Sequence, residues 1–402
     1  MRVLIADKFE SSGTEALKRG GCQVHSHPEA GEDDVPGLLV THDPDVLIVR
    51  STKVRKAAIA AAGRLSLIVR AGAGVDNIDL NAASEVGIFV ANCPGRNAIA
   101  VAELTWGLII SCDRRIPDQV QELRDGSWNK KGYASARGLY GRTLGIVGLG
   151  QIGEAVAIRG RAFGMRVIAW SRSLTPERAE ALGIGWCATP ADLARHSDVI
   201  SVNVAATPET KHLINEAFLG AMKERAILIN TSRGPVVDEA ALAAAIRTKG
   251  IRAGLDVFDP QPAPSDTAFD NPIVREPGVY GTHHCGASTD QAQQAIAAET
   301  VRIVDVYAQS GQILNCVNLH AATPDSIVLS VRHMNKPGVL SHVFQILSNA
   351  GINVEEMDNI LYDGAKAACA RIRLDRLPTG GQIEDVRRNP HVLSVVVRSL
   401  DA

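Results

Sequence analysis

The sequence predicts an α/β protein with two parallel-sheet domains followed by a small βαββαβ unit. Three observations predict it. Short apolar runs alternate with Ala-rich helical stretches along most of the 402 residues, the rhythm of βαβ units. A Gly-x-Gly-x-x-Gly cluster stands where one such run meets a helix. A polar, Pro-containing stretch at 319–326 (LHAATPDS) then sets off a last segment with a different pattern. At about 150 residues per domain, the length accommodates two to three domains.

Taken in order, strands are expected at 2–6, 46–50, 67–70, 143–148, 166–170, 198–203, 226–230 and 252–257. Residues 98–123 read as one long apolar helix, and 126–142 (GSWNKKGYASARGLYGR) as a Gly- and Lys/Arg-rich arm. Beyond the linker come a strand at 327–332 and an amphipathic helix opened by Pro337 and Gly338 that runs to Ala350. Strands near 353–361 and 365–373, a short helix and a strand at 391–398 complete the unit.

Charge and composition exclude several classes of function. The 42 Lys+Arg nearly cancel the 44 Asp+Glu, a formal charge of -2, so no basic field exists for coating nucleic acid or an anionic membrane. With 46% hydrophobic and 21% charged residues the chain is too apolar for disorder. Aromatic residues are 4%, leaving aliphatic side chains and Ala to build the core. The start MRVLIADKFE meets charge at Asp7 and Lys8, so no signal peptide is expected, and no apolar run approaches 18 residues. Seven scattered cysteines, none in C-x-x-C spacing, fit reduced thiols better than disulfides or zinc. These features predict a soluble cytoplasmic protein with no nucleic-acid or membrane partner.

The cluster Gly148-Leu149-Gly150-Gln151-Ile152-Gly153 follows the apolar run TLGIVG and precedes a helix with Ile152, Ala155, Val156, Ile158 and Ala162 on its apolar positions. Gly164 closes that helix and a second run, MRVIAW, follows. This order suits a dinucleotide: glycines let the backbone approach a pyrophosphate, and the helix start offers unpaired N–H groups. An acid at the end of the second strand would hold a ribose 2′-OH, but here stand Ser171 and Arg172. A hydroxyl and a guanidinium accept a 2′-phosphate, so NAD and NADP both remain open.

Five further segments carry a resemblance: 68–79 (IVRAGAGVDNID), 92–104 (NCPGRNAIAVAEL), 229–239 (INTSRGPVVDE), 254–262 (GLDVFDPQP) and 280–289 (YGTHHCGAST). With residues 49–54 (VRSTKV) and 315–318 (NCVN), they resemble the D-isomer-specific 2-hydroxy acid dehydrogenases, from the first strand to about residue 318. The resemblance implies two Rossmann-like domains: a discontinuous substrate domain at 1–95 and 287–318, and a dinucleotide-binding domain at 96–286. It also implies hydride transfer between C2 of a hydroxy acid and a nicotinamide. Arg233 would bind the substrate carboxylate, as its planar fork allows, and His284 would carry the proton. The cofactor would be lined by Gly148, Gly150, Gln151, Ile152, Gly153, Ser171, Arg172, Thr207, Thr231, Ser232, Asp256 and Gly286. The substrate would meet Arg50, Ser51, Arg70, Gly72, Ala73, Gly74 and Asn97. Arg50 and Arg70 together suit a doubly anionic acid such as 3-phosphoglycerate.

One position departs from the family. Gln261 stands where a glutamate usually partners the catalytic histidine, so the imidazolium loses a countercharge; Asp259 is the nearby candidate to replace it. His283 and His284 are adjacent with no further ligand at metal spacing, so no metal is expected. The C-terminal unit, 327–402, resembles the ACT regulatory domain through 333–340 (HMNKPGVL) and 351–353 (GIN). His333, Asn335 and Asn353 fall where such units bind an amino acid, implying L-serine as effector; a unit that only oligomerises is the alternative. The apolar helix and arm imply a homodimer, or a homotetramer through the C-terminal units. A glyoxylate or hydroxypyruvate reductase, and a nucleotide-sensing protein without turnover, are the other readings of the chain.

Overall fold

A computed structural model of the chain describes residues 1–262, 268–320 and 327–399. It divides into two compact units, Met1–Leu319 and His320–Ala402. Of the linker expected at 319–326, residues 321–326 lie outside the described residues.

The first unit holds two parallel sheets. In the first, β1 (Arg2–Ile5), β2 (Gln23–Ser26), β3 (Val46–Val49), β4 (Leu67–Arg70) and β5 (Phe89–Asn92) lie in the order β2-β1-β3-β4-β5. Strands β1, β3 and β4 are apolar on both faces, as parallel strands covered by helices must be. Ile296, Ile303 and Val304 of the late helix Asp290–Ser310 pack with Val3, Ile5 and Ile48 of this sheet. Thus the chain returns to its first sheet some two hundred residues after leaving it.

The second sheet has seven strands: β6 (Thr143–Val147), β7 (Arg166–Trp170), β8 (Gly185–Trp186), β9 (Val199–Val202), β10 (Ile227–Asn230), β11 (Arg252–Leu255) and β12 (Val279–Gly281). Their order is β12-β11-β10-β9-β6-β7-β8, all parallel. The order reverses between β6 and β9, the topological switch point where a crevice opens at the carboxyl ends of the strands.

The expected single helix over 98–123 is two. Ala98–Arg114 ends at Arg115, whose φ of 54° is left-handed, and Pro117 sits in the first turn of Ile116–Arg124. Pro lacks the N–H that a continuing helix needs, so the break falls there. Most apolar residues of the first helix are consumed within the unit: Trp106, Ile109 and Cys112 pack with Leu144, Ile146 and Val156. Apolar surface is left exposed at Ile99 on that helix and, beyond it, on Ile116, Val120, Leu123 and Trp128.

The second unit is a four-stranded antiparallel sheet. Its strands β13 (Ile327–Met334), β14 (Val354–Leu361), β15 (Ala367–Leu374) and β16 (Val392–Ser399) lie in the order β14-β15-β13-β16. The helices Val339–Asn349 and Gly380–Arg387 contribute Val343, Leu347 and Val386 to a core with Leu329, Val331, Ala370 and Ile372. No helix among the described residues is long and apolar enough to cross a membrane.

Candidate active site

The glycine cluster lies between β6 and the helix Gln151–Ala162. Gly148 has φ 91°, a conformation open to glycine at little cost. A methyl group on Gly153 would sit 2.3 Å from the Gly148 carbonyl oxygen, so only glycine lets the helix come this near the strand. Gly150 caps the helix without a side-chain hydrogen bond, and nothing lies within 4 Å of where its Cβ would be. Open N–H groups at a helix start with free space before them form a cradle that fits a pyrophosphate. Gln151 and Ile152 begin that helix, and the Gln151 amide folds over Gly95, whose Cβ would be 1.5 Å from its Oε1.

Other expected cofactor residues stand at the carboxyl ends of neighbouring strands. Ser171 and Arg172 follow β7 directly. Thr207 opens the turn Pro208–Thr210, and its hydroxyl, more than the nearby Arg172, holds the Glu209 carboxyl below its ordinary value. Thr231 and Ser232 are buried after β10; their hydroxyls lie 3.0 Å from Thr105 Oγ1 and 2.7 Å from Asn230 Oδ1. Asp256, 1% exposed, holds the histidine loop: it accepts from the Thr282 hydroxyl (2.6 Å), Cys285 N–H (2.9 Å) and Gly286 N–H (3.0 Å).

That loop carries His284 with φ 50°, in the left-handed region uncommon for a residue with a Cβ. Gln261 Nε2 lies 2.7 Å from His284 Nδ1. Drawn this way the amide donates to Nδ1 and the neutral ring keeps its proton on Nε2; turning the amide over reverses both roles. Desolvation first, then the Arg233 guanidinium and, more weakly, Arg70, hold the imidazolium form down, so the His284 pKa lies below its ordinary value. Asp256 and Asp76 oppose that shift. Asp259, the possible replacement for the missing glutamate, sits beside Glu239 instead, its N–H donating to Glu239 Oε1 at 2.8 Å.

Three arginines meet opposite the histidine. Arg233 donates to Asp76 Oδ2 (2.8 Å) and to the Ser232 carbonyl (2.8 Å). Its guanidinium lies against the loop after β4, where a methyl on Gly74 would be 1.9 Å from Nη2. Arg70 lies over the same loop, 1.5 Å from where a Gly72 Cβ would be. Desolvation, then the like charges of Arg233 and Arg50, bring the Arg70 pKa down to about 10. Its Nε is buried with no partner among the described residues, as is Asn97 Oδ1 at the start of the crossover helix. A guanidinium left short of acceptors among like charges is built to receive an anion.

The sequence reading missed what holds this cluster in place. The Asp7 carboxylate, at the end of β1, accepts from the N–H groups of Arg50 (3.0 Å), Ser51 (2.5 Å) and Thr52 (2.8 Å) and from the Thr52 hydroxyl (3.0 Å). Burial would raise this carboxyl, but the four donors outweigh it and hold it below its ordinary value. Glu299, 4% exposed, takes Arg96 (2.6 Å), Arg302 (2.6 Å) and Asn315 (2.8 Å). Arg302 first, against burial, and then Arg96 and Asn315 bring its carboxyl to about 2. An acid directly after the first strand was the one visible signal for Asp7; nothing local marks Glu299.

In the second unit His333 is 2% exposed. Its Nδ1 lies 2.8 Å from the Met334 carbonyl oxygen and its Nε2 3.1 Å from Asn359 Oδ1. The Asn335 amide donates to the Ala365 carbonyl at 2.9 Å. Asn353 is exposed, next to the end of β14 that pairs with Leu374, which in turn faces Ile327. At about 3.3 Å per residue, the length of β13, roughly 23 Å, separates it from His333 and Asn335. Within one copy the three expected effector residues are not brought together.

Residues 106–286 match the D-isomer specific 2-hydroxyacid dehydrogenase, NAD binding domain, and residues 327–358 match the ACT domain. The chain is 42% identical over 324 residues to a D-3-phosphoglycerate dehydrogenase of Methanocaldococcus jannaschii, covering 79% of this chain and 60% of that protein. It is 38% identical over 328 residues to a protein of the same name from Bacillus subtilis, covering 81% and 60%. The aligned part thus spans about 60% of these relatives' length. Among solved structures, the TT0316 protein from Thermus thermophilus superposes with a TM-score of 0.69 at 32% identity, covering 79% of this chain and 100% of that one. The chain belongs to the D-isomer-specific 2-hydroxyacid dehydrogenases and carries an ACT domain at its C-terminal end.

Proposed function

We propose that this chain acts as a D-3-phosphoglycerate dehydrogenase, oxidising 3-phosphoglycerate to 3-phosphohydroxypyruvate with NAD or NADP in the direction of L-serine. The observation that carries the reading is the meeting of Arg50, Arg70 and Arg233 beside His284, with the Arg70 Nε buried and unpartnered among the described residues. A substrate bearing both a carboxylate and a phosphate supplies the acceptors this cluster lacks.

In this mechanism Gly148, Gly150, Gln151, Ile152 and Gly153 would hold the dinucleotide, which would supply the hydride acceptor for C2 of the substrate. Arg233 and the N–H groups of residues 72–74 orient the carboxylate, while Arg50 and Arg70 take the phosphate. His284 removes the hydroxyl proton as the C–O bond becomes a carbonyl, and returns it in the reverse direction. Its depressed pKa keeps the ring neutral, and so a competent base, at neutral pH. Residues 1–95 with 287–318 serve as the substrate domain and 96–286 as the dinucleotide domain.

The Ser171–Arg172 pair at the end of β7 favours a second reading, a glyoxylate or hydroxypyruvate reductase that uses NADPH. Cofactor consumption with phosphohydroxypyruvate, hydroxypyruvate and glyoxylate separates the two. The first reading expects phosphohydroxypyruvate to be preferred by a factor of about 100 in kcat/KM, the order of two lost charge-assisted contacts. A preference for glyoxylate or hydroxypyruvate replaces it with the second, and absence of turnover with all three sinks both.

For the C-terminal unit, an L-serine site using His333, Asn335 and Asn353 takes two copies of the sheet, because the residues sit at its opposite ends. Exposed Ile116, Val120, Leu123 and Trp128 give a dimer its contact surface. Inhibition and sedimentation measured across a serine titration check both; a monomer indifferent to serine removes them.

A further inference from the structure

The carboxyl ends of the second sheet face the cleft, yet a second group of arginines gathers at the opposite rim. Arg142 immediately precedes β6, Arg225 stands two residues before β10, and Arg252 begins β11. Together with Arg137 they line one small cavity, with Asp113 as the only acid in its wall among the described residues. A strand length, about 13 Å, separates this rim from the cleft.

Local pairing leaves much of this charge unanswered. Arg142 is 8% exposed; it donates to Asp113 Oδ1 (3.0 Å), the Gly138 carbonyl (2.9 Å) and the Asp198 carbonyl (3.2 Å), but its Nε has no partner among the described residues. Asp198, beside the cavity, is already taken by the Thr143 N–H (2.9 Å) and Lys223 (3.2 Å), and reaches Arg137 only at 3.6 Å. Arg252 donates to the Cys112 (2.7 Å) and Asp113 (3.2 Å) carbonyls that end the helix Ala98–Arg114. Arg225 has no ion pair or side-chain hydrogen bond among the described residues, and its backbone has φ 56°. Non-glycine residues in that region are uncommon and cost energy that surrounding structure must offset.

The geometry points to an anion-binding site here, distinct from the cleft, that takes a tetrahedral oxyanion: inorganic phosphate or the phosphoryl end of a small metabolite. The cavity, about 20 Å³, has room for one water-sized group. One oxygen enters toward Arg142 Nε, while the others stay at the mouth within reach of the exposed Arg137 and Arg225. The site does not depend on the identity of the hydroxy acid turned over in the cleft.

Calorimetric titration of inorganic phosphate into the full chain, with NADH saturating, tests it. A binding event is expected that survives Arg50→Gln/Arg70→Gln, which removes the phosphate contacts of the cleft, and weakens at least ten-fold in the rim variant Arg137→Gln/Arg225→Gln. Both changed rim residues are exposed, so the rim variant keeps its melting temperature without phosphate while losing the rise that phosphate gives the parent. Glucose 6-phosphate as a second titrant separates the sources: competition with phosphate extends the site to phosphate esters, and absence of competition restricts it to the free ion. Loss of the event in Arg50→Gln/Arg70→Gln together with retention in the rim variant overturns the proposal. So does equal displacement by chloride at matched ionic strength, which is screening alone.

Discussion

Two histidines that sequence motifs mark as functional, His284 and His333, sit in opposite states. His284 rests on a left-handed loop with one ring nitrogen against Gln261 and the other without a partner among the described residues. His333 is buried in a strand with both ring nitrogens engaged, by the Met334 carbonyl and the Asn359 side chain. The difference separates chemistry from architecture. A histidine that moves protons must keep a nitrogen for its substrate, and one whose nitrogens are both committed serves the fold or must break a bond to serve a ligand.

The comparison can be broken most forcefully at His284. His284→Asn is expected to lower kcat by about 10²–10⁴-fold, the range for loss of a general acid–base group, with NADH binding unchanged by fluorescence. A loss under three-fold removes the residue from the chemistry. At His333 the expected effect is on stability. His333→Leu removes the two hydrogen bonds of a buried ring, to the Met334 carbonyl and the half-buried Asn359 side chain, costing about 1–3 kcal/mol in denaturant melts of the ACT unit. Unchanged stability erases the distinction.

Smaller effects sharpen the picture around the cleft. Asp7→Asn frees the Arg50–Thr52 backbone, and KM for the substrate should rise about ten-fold, one charge-assisted hydrogen bond's worth, with kcat nearly constant. A fall in kcat alone contradicts a loop-holding role. Gln261→Glu gives His284 a countercharge and raises its pKa, so the proton-accepting ring appears only at higher pH. The rising limb of the oxidation rate should move to higher pH, while reduction keeps its acid further into the alkaline range. An unmoved profile shows that Gln261 does not set the titration.

What was legible in the chain follows the reach of each interaction. The fold class and the strands at 46–50, 67–70 and 143–148 could be read because parallel strands buried on both faces are continuous apolar runs. β2, reading QVHS with neither end buried, and the two-residue β8 carry no such run, so neither is visible. Arg115 broke a helix that hydrophobicity alone extends, because the pattern records burial but not the left-handed turn before Pro117. At the site, Arg233 and His284 announced themselves in compact motifs. Their supports did not, since Asp7 reaches 43 residues to Arg50, Arg233 reaches 157 residues to Asp76, and Arg96 reaches 203 to Glu299.

Glu299 draws together Arg96 beside the first passage between the two sheets, Arg302 on the returning helix, and Asn315 near that helix's end. A carboxyl whose pKa falls from 4.5 to about 2 on folding adds stability that is complete above the unfolded value. It surrenders that stability only as pH drops toward the folded one. In acid, therefore, exposed carboxylates discharge while this clasp is still ionised. The molecule's joint stays fastened after its surface has gone positive, and acid unfolding should begin at the periphery.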